Sequence, residues 1–102
     1  MAWRLLIAED EKYLREKVTK NIDWVAYGYE VVVASDGEEA LEIMEREQID
    51  LLVTDIRMPG MDGIELTERA KALNEELKVI VISGHAEFEL AQASIRLGVE
   101  DY

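Results

Sequence analysis

The sequence predicts a doubly wound α/β fold, in which helices cover both faces of a parallel sheet. Two observations carry that expectation. Four short β-rich runs, Arg4–Ala8, Glu30–Ala34, Asp50–Thr54 and Lys78–Ser83, alternate with stretches of helical periodicity. The runs are also nearly unbroken in apolar character, as in Val79-Ile80-Val81-Ile82, which suits strands buried on both faces. With 102 residues the chain is large enough for one hydrophobic core and too small for two, so residues 1–102 are read as one domain.

Each element has a local reason. After the first strand, Leu14, Val18 and Ile22 recur every four residues and form an apolar stripe, with Lys12, Arg15 and Lys20 on other faces. The second helix is expected to start at Ser35-Asp36 and run to about Glu47. Glu38 and Glu39 lie in its first turn, where the helix dipole favours acids, and Ala40, Ile43 and Met44 face inward. The third follows the turn signal Met58-Pro59-Gly60, with Asp62 as N-cap, Glu65 completing a capping box, and Leu66, Ala70 and Leu73 as its buried stripe. In the fourth, Phe88, Ala91 and Ile95 share one face and Leu90, Ser94 and Leu97 a neighbouring one, before Gly98 as a C-terminal cap. Val99 to Tyr102 reads as the start of a fifth strand.

Composition narrows the function. Half of the residues are hydrophobic (49%) and a third charged (33%), as in a packed globular domain. No apolar run approaches the roughly 20 residues that cross a bilayer, and Leu5-Leu6-Ile7-Ala8 leads into Glu9-Asp10-Glu11 rather than a cleavage site. Cysteine is absent, which excludes disulfides and thiolate metal sites and fits a cytoplasmic location. A formal net charge of −12 opposes contact with nucleic acid, so any regulation of DNA requires another segment.

In an open parallel sheet, ligands bind beyond the carboxyl ends of the strands. Here the first strand ends in Glu9-Asp10, the third in Asp55 and the fourth in Ser83, which gathers carboxylates and a hydroxyl around one crevice. Carboxylates about 4 Å apart repel by roughly 1 kcal/mol per pair in water, and by more when buried, so they favour protonation or a cation. An all-oxygen donor set with an incomplete protein shell favours Mg²⁺ over Ca²⁺. Beside such a metal, Asp55 is placed to attack phosphorus. Taken singly, each feature has a plainer reading: Glu9-Asp10-Glu11 as an acidic helix start, Asp55 as a turn former, Ser83 as a loop serine. Only their joint placement favours a site. His85 has no visible metal partners, and Trp3, Trp24, Tyr27 and Tyr29 are read as packing residues.

The segments LLIAEDE, VTDIRMPGMDG, VIVISGHAEF and LGVEDY resemble, in order and spacing, the CheY-like receiver domains of two-component response regulators. The stretches NIDWVAYGYEVVVASDGEEALE and ISGHAEFELA are most similar to receivers joined to AraC-type DNA-binding domains. The resemblance implies a flavodoxin-like sheet of order 2-1-3-4-5. It implies Asp55 as phosphoacceptor, with Mg²⁺ held by Asp10, Asp55 and the backbone carbonyl of Arg57, and by Glu9 through water. Ser83 would hydrogen-bond the phosphoryl group and Tyr102 would be the switch aromatic. The implied partners are a sensor histidine kinase, a C-terminal DNA-binding output domain in the parent protein, and a second copy through the fourth-helix face. No nucleic acid or membrane contact is implied, nor enzymatic action beyond the domain's own phosphorylation and dephosphorylation. In the family a lysine and proline lie three residues beyond the switch aromatic. The chain stops at Tyr102, so the fifth strand and last helix are expected to be truncated and the fourth strand to form a poorly covered edge. A module that binds partners without phosphorylation is the alternative reading.

Overall fold

The structure, a computed structural model, describes residues 3–82. Within them the order is β1 (Trp3–Ala8), α1 (Lys12–Asn21), a single 3-10 turn (Val25–Tyr27), β2 (Tyr29–Ala34), α2 (Gly37–Arg46), β3 (Leu51–Asp55), α3 (Gly63–Leu73) and β4 (Lys78–Ile82). All described strand pairs are parallel and the sheet order is β2-β1-β3-β4, the doubly wound arrangement expected. The fourth helix, the fifth strand, Ser83, His85 and Tyr102 lie outside the described residues.

Strand alternation sends successive side chains to two cores. Leu6, Ala8, Leu52, Val79 and Val81 meet Ala40 and Ile43 of α2 and Leu66 and Ala70 of α3 on one face. Leu5, Ile7, Leu51 and Val53 face the other way, toward Val18 of α1 and toward Trp24 and Tyr29. Leu6, Leu52 and Leu66 are fully buried, and each such side chain contributes on the order of 2 kcal/mol of transfer free energy.

The helix starts follow their caps. Asp36 accepts the Glu39 amide at 2.7 Å, and the Glu39 carboxylate accepts the Ser35 amide at 2.7 Å. Asp62 accepts the Glu65 amide at 2.8 Å. The return half of the expected box at α3 does not form, because the Glu65 carboxylate turns along the helix to Arg69 at 3.0 Å.

Four other expectations are corrected. Leu73 leaves the buried α3 stripe: it is the last residue of the helix and is 52% exposed. Ile22 leaves the α1 stripe: the helix ends at Asn21, Ile22 is extended, and its side chain is 42% exposed. β3 begins one residue late, since the Asp50 carboxylate accepts the Arg4 amide at 2.8 Å and closes the strand start instead. Trp3 and Tyr27 are 60% and 73% exposed, so they are not packing residues. Trp24 and Tyr29 do pack, edge to face at 6.3 Å, and the Trp24 indole N–H donates to the Val18 carbonyl at 3.1 Å.

Candidate functional site

The crossover that places β1 between β2 and β3 is the switch point at which an open sheet exposes a crevice. Register then decides what lines it. Ala8 pairs with Thr54, so Glu9 and Asp55 are the next residues on adjacent strands and emerge side by side. Asp10 follows directly. Glu9, Asp10 and Asp55 each bring a carboxylate oxygen within 4.8 Å of the other two, and among the described residues this is the acidic or histidine cluster with metal-ligand spacing. The structure therefore brings together the three carboxylates that the sequence placed at two strand ends. Arg57 lies nearby: its segment, with Met58, Pro59, Gly60 and Asp62, lines an open groove that begins at Asp10.

The members differ in environment. Glu9 is only 1% exposed, whereas Asp55 is half-buried. Burial raises the Glu9 carboxyl most, its hydrogen bond with Asp55 and the charges of Asp55 and Asp10 raise it further, and the Glu11 amide partly offsets them. The result is a shift from 4.5 to about 8. Near neutral pH and without a cation, Glu9 holds a proton. A hard divalent cation would relieve the same crowding by displacing that proton, and the all-carboxylate donor set fits such an ion.

Several residues that sequence reasoning did not single out hold the carboxylates in place. The Glu9 amide donates to the Ala34 carbonyl at 3.1 Å, and the Glu9 carbonyl accepts the Arg15 guanidinium at 2.9 Å. The buried Thr54 hydroxyl donates to the Asp55 carbonyl at 2.9 Å. Gly63 packs so closely on the Asp55 main chain that a Cβ there would lie 2.0 Å from the Asp55 carbonyl oxygen. Its amide donates to the Ile56 carbonyl at 2.7 Å, and Thr67 donates to the Gly63 carbonyl at 2.7 Å. The signal for Gly63 was present: glycine in a first helical turn is unfavourable unless close approach requires it. Gly60, at φ +76°, lets the loop over Arg57 turn back toward α3.

The chain matches the family model described as the response regulator receiver domain over residues 5–102. Among curated proteins it is 35% identical over 101 residues to the uncharacterized transcriptional regulatory protein YesN of Bacillus subtilis, covering 98% of this chain but 27% of that protein. It is 35% identical over 95 residues to sporulation initiation phosphotransferase F of the same organism, covering 93% of this chain and 75% of that one. Among solved structures, the REC domain of the response regulator AraT from Geobacillus stearothermophilus superposes with a TM-score of 0.93 at 47% identity, over 100% of this chain and 80% of that one. A two component transcriptional regulator AraC from Clostridium phytofermentans superposes at 0.88 and 35% identity, over 98% and 79%.

Proposed function

Since the chain belongs to the response regulator receiver family, we propose that it takes a phosphoryl group from a sensor histidine kinase onto Asp55 and passes the signal to a DNA-binding output domain of its parent protein. The observation that carries this reading is the β1–β3 register, which sets Glu9 and Asp10 against Asp55 with carboxylate oxygens within 4.8 Å. In the transfer, a carboxylate oxygen of Asp55 attacks the phosphorus of a phosphohistidine. The new O–P bond forms an acyl phosphate as the N–P bond breaks, and the imidazole nitrogen leaves with the electron pair and takes up a proton.

The residues that would hold Mg²⁺ are Asp10, Asp55 and the backbone carbonyl of Arg57, with Glu9 acting through water. When bound, the ion neutralises charge on the transferring phosphoryl oxygens. The protein's own part is mainly placement: β3 and Gly63 fix Asp55, and the Ala34 carbonyl and Arg15 fix the strand end that carries Glu9 and Asp10. Ser83 would donate a hydrogen bond to the phosphoryl group and Tyr102 would turn inward in response, both by analogy with the family. The phosphoryl group adds acceptor oxygens and charge that favour one loop arrangement over the other.

A regulatory rather than a substrate-processing role follows, since the reaction modifies the chain itself. The similarity to YesN and AraC, which are transcriptional regulators, supports the output assignment. The net charge of −12 supports leaving DNA contact to the output domain, and the absence of cysteine suits a cytoplasmic setting. The test is to incubate the protein with Mg²⁺ and acetyl phosphate and measure intact mass. The wild type should gain one phosphoryl unit and Asp55→Asn none; a folded wild type that gains nothing refutes the proposal for this chain.

A further inference from the structure

The three described α-helices are anchored differently at their starts. α2 and α3 each begin on an aspartate whose carboxylate accepts a main-chain amide. α1 has Glu11 at its N-cap position with no side-chain cap bond, and no acidic residue in its first turn. It is nevertheless the helix that follows directly on Glu9 and Asp10. Two bonds tie it back: the Glu11 amide donates to the Glu9 carboxylate at 3.2 Å, and the Arg15 guanidinium reaches across the first turn and donates to the Glu9 main-chain carbonyl at 2.9 Å.

We propose that Arg15 is a positioning residue for the acidic pair. The assignment rests on the metal reading above and adds to it a residue that touches neither ion nor phosphoryl group. The two peptide units that flank the Glu9 Cα are each held, the Glu9 amide by the Ala34 carbonyl of β2 and the Glu9 carbonyl by Arg15 of α1. Those two bonds fix the backbone orientation at Glu9 and therefore the direction in which Asp10 leaves the strand. A charge-assisted bond from a planar guanidinium is stronger and more directional than water could supply. With no side-chain cap at Glu11, and with the Glu11 amide holding only the Glu9 side chain, loss of Arg15 frees the Glu9 carbonyl. The loop between β1 and α1 then relaxes and lets the Asp10 carboxylate wander from Asp55.

Electrostatics and positioning make opposite predictions here. Arg15 is a cation bonded to the Glu9 main chain, so its charge alone disfavours a second cation at the adjoining carboxylates, and removing it should tighten Mg²⁺ binding. If its role is placement, removing it should weaken binding. The experiment is calorimetric titration of MgCl₂ into the wild type, Arg15→Met and Arg15→Lys, with unfolding midpoints measured in chelator. Arg15→Met should bind roughly tenfold more weakly, as expected when an outer partner of a metal ligand is lost. Arg15→Lys, which keeps the charge but not the fork, should fall between. Wild-type or tighter affinity in Arg15→Met overturns the assignment; should that variant not fold, wild-type affinity in Arg15→Lys does so. A wild type that takes up no Mg²⁺ removes the metal reading itself, a result distinct from either.

Discussion

In the absence of divalent cations the folded chain should lose about 2 kcal/mol of stability between pH 6 and pH 8, a range over which most surface carboxylates are already ionised. The cause is Glu9, pushed from 4.5 to about 8 by burial and by Asp55 and Asp10. A carboxyl whose folded value lies above its unfolded value binds an extra proton in the folded state. Its contribution is therefore full at low pH and lost as pH rises from about 4.5 to about 8. For a domain of this size the loss corresponds to a fall of roughly 10 °C in the unfolding midpoint. Asp55→Asn should remove much of it. At the 4.8 Å limit of the cluster, one pair of charges repels by about 1 kcal/mol in water and about 3 kcal/mol at an effective dielectric of 20. The variant should therefore be more stable than the wild type at pH 8 by an amount between those values, with the gap closing toward pH 6. Urea melts in chelator, all on a His85→Asn background because histidine titrates in the same window, give the numbers. A wild-type stability flat from pH 6 to 8, or an Asp55→Asn variant less stable at pH 8, would refute the reasoning.

Three further outcomes follow from the packing. Gly63→Ala places a methyl group 2.0 Å from the Asp55 carbonyl oxygen, so it should cost about 3 kcal/mol by forcing α3 away from β3, measured by urea melts. Asp36→Ala and Asp62→Ala each remove a cap that accepts one amide; each should cost about 1 kcal/mol, and the two should add in the double variant because they cap separate helices. Thr54→Val keeps the shape but removes the hydroxyl bonded to the Asp55 carbonyl. It should cost about 1 kcal/mol, and Thr54→Ser should recover most of that in thermal melts.

The legible parts of this chain were those written in local pattern. Val79 to Ile82 identified a strand because a short apolar run of β-branched residues suits a sheet covered by helices, though only Val79 and Val81 are buried while Ile80 and Ile82 on the other face are half-buried. Asp36 and Asp62 identified helix starts because a short acceptor side chain there meets free amides. The acidic site was legible because its carboxylates lie at or just beyond the ends of two strands. Its tightness was not, since that depends on the pairing of Ala8 with Thr54, a contact between residues far apart in sequence. Ile22 misled because periodicity continues past the point where the backbone becomes extended. Trp3 and Tyr27 misled because an aromatic side chain carries no local mark of which way it faces. Arg15 read as a surface cation on a helix face; only the fold shows that its guanidinium bends back to the end of β1.

The central claim is that a carboxylate oxygen of Asp55 accepts the phosphoryl group, and reductive trapping tests it most directly. The protein is treated with Mg²⁺ and acetyl phosphate, reduced with borohydride to convert an acyl phosphate to the alcohol, digested and sequenced by mass spectrometry. The account predicts homoserine at position 55, absent when Mg²⁺ is chelated and strongly reduced in Asp10→Asn. Conversion at another carboxylate, or none at position 55 in folded wild-type protein, would contradict it.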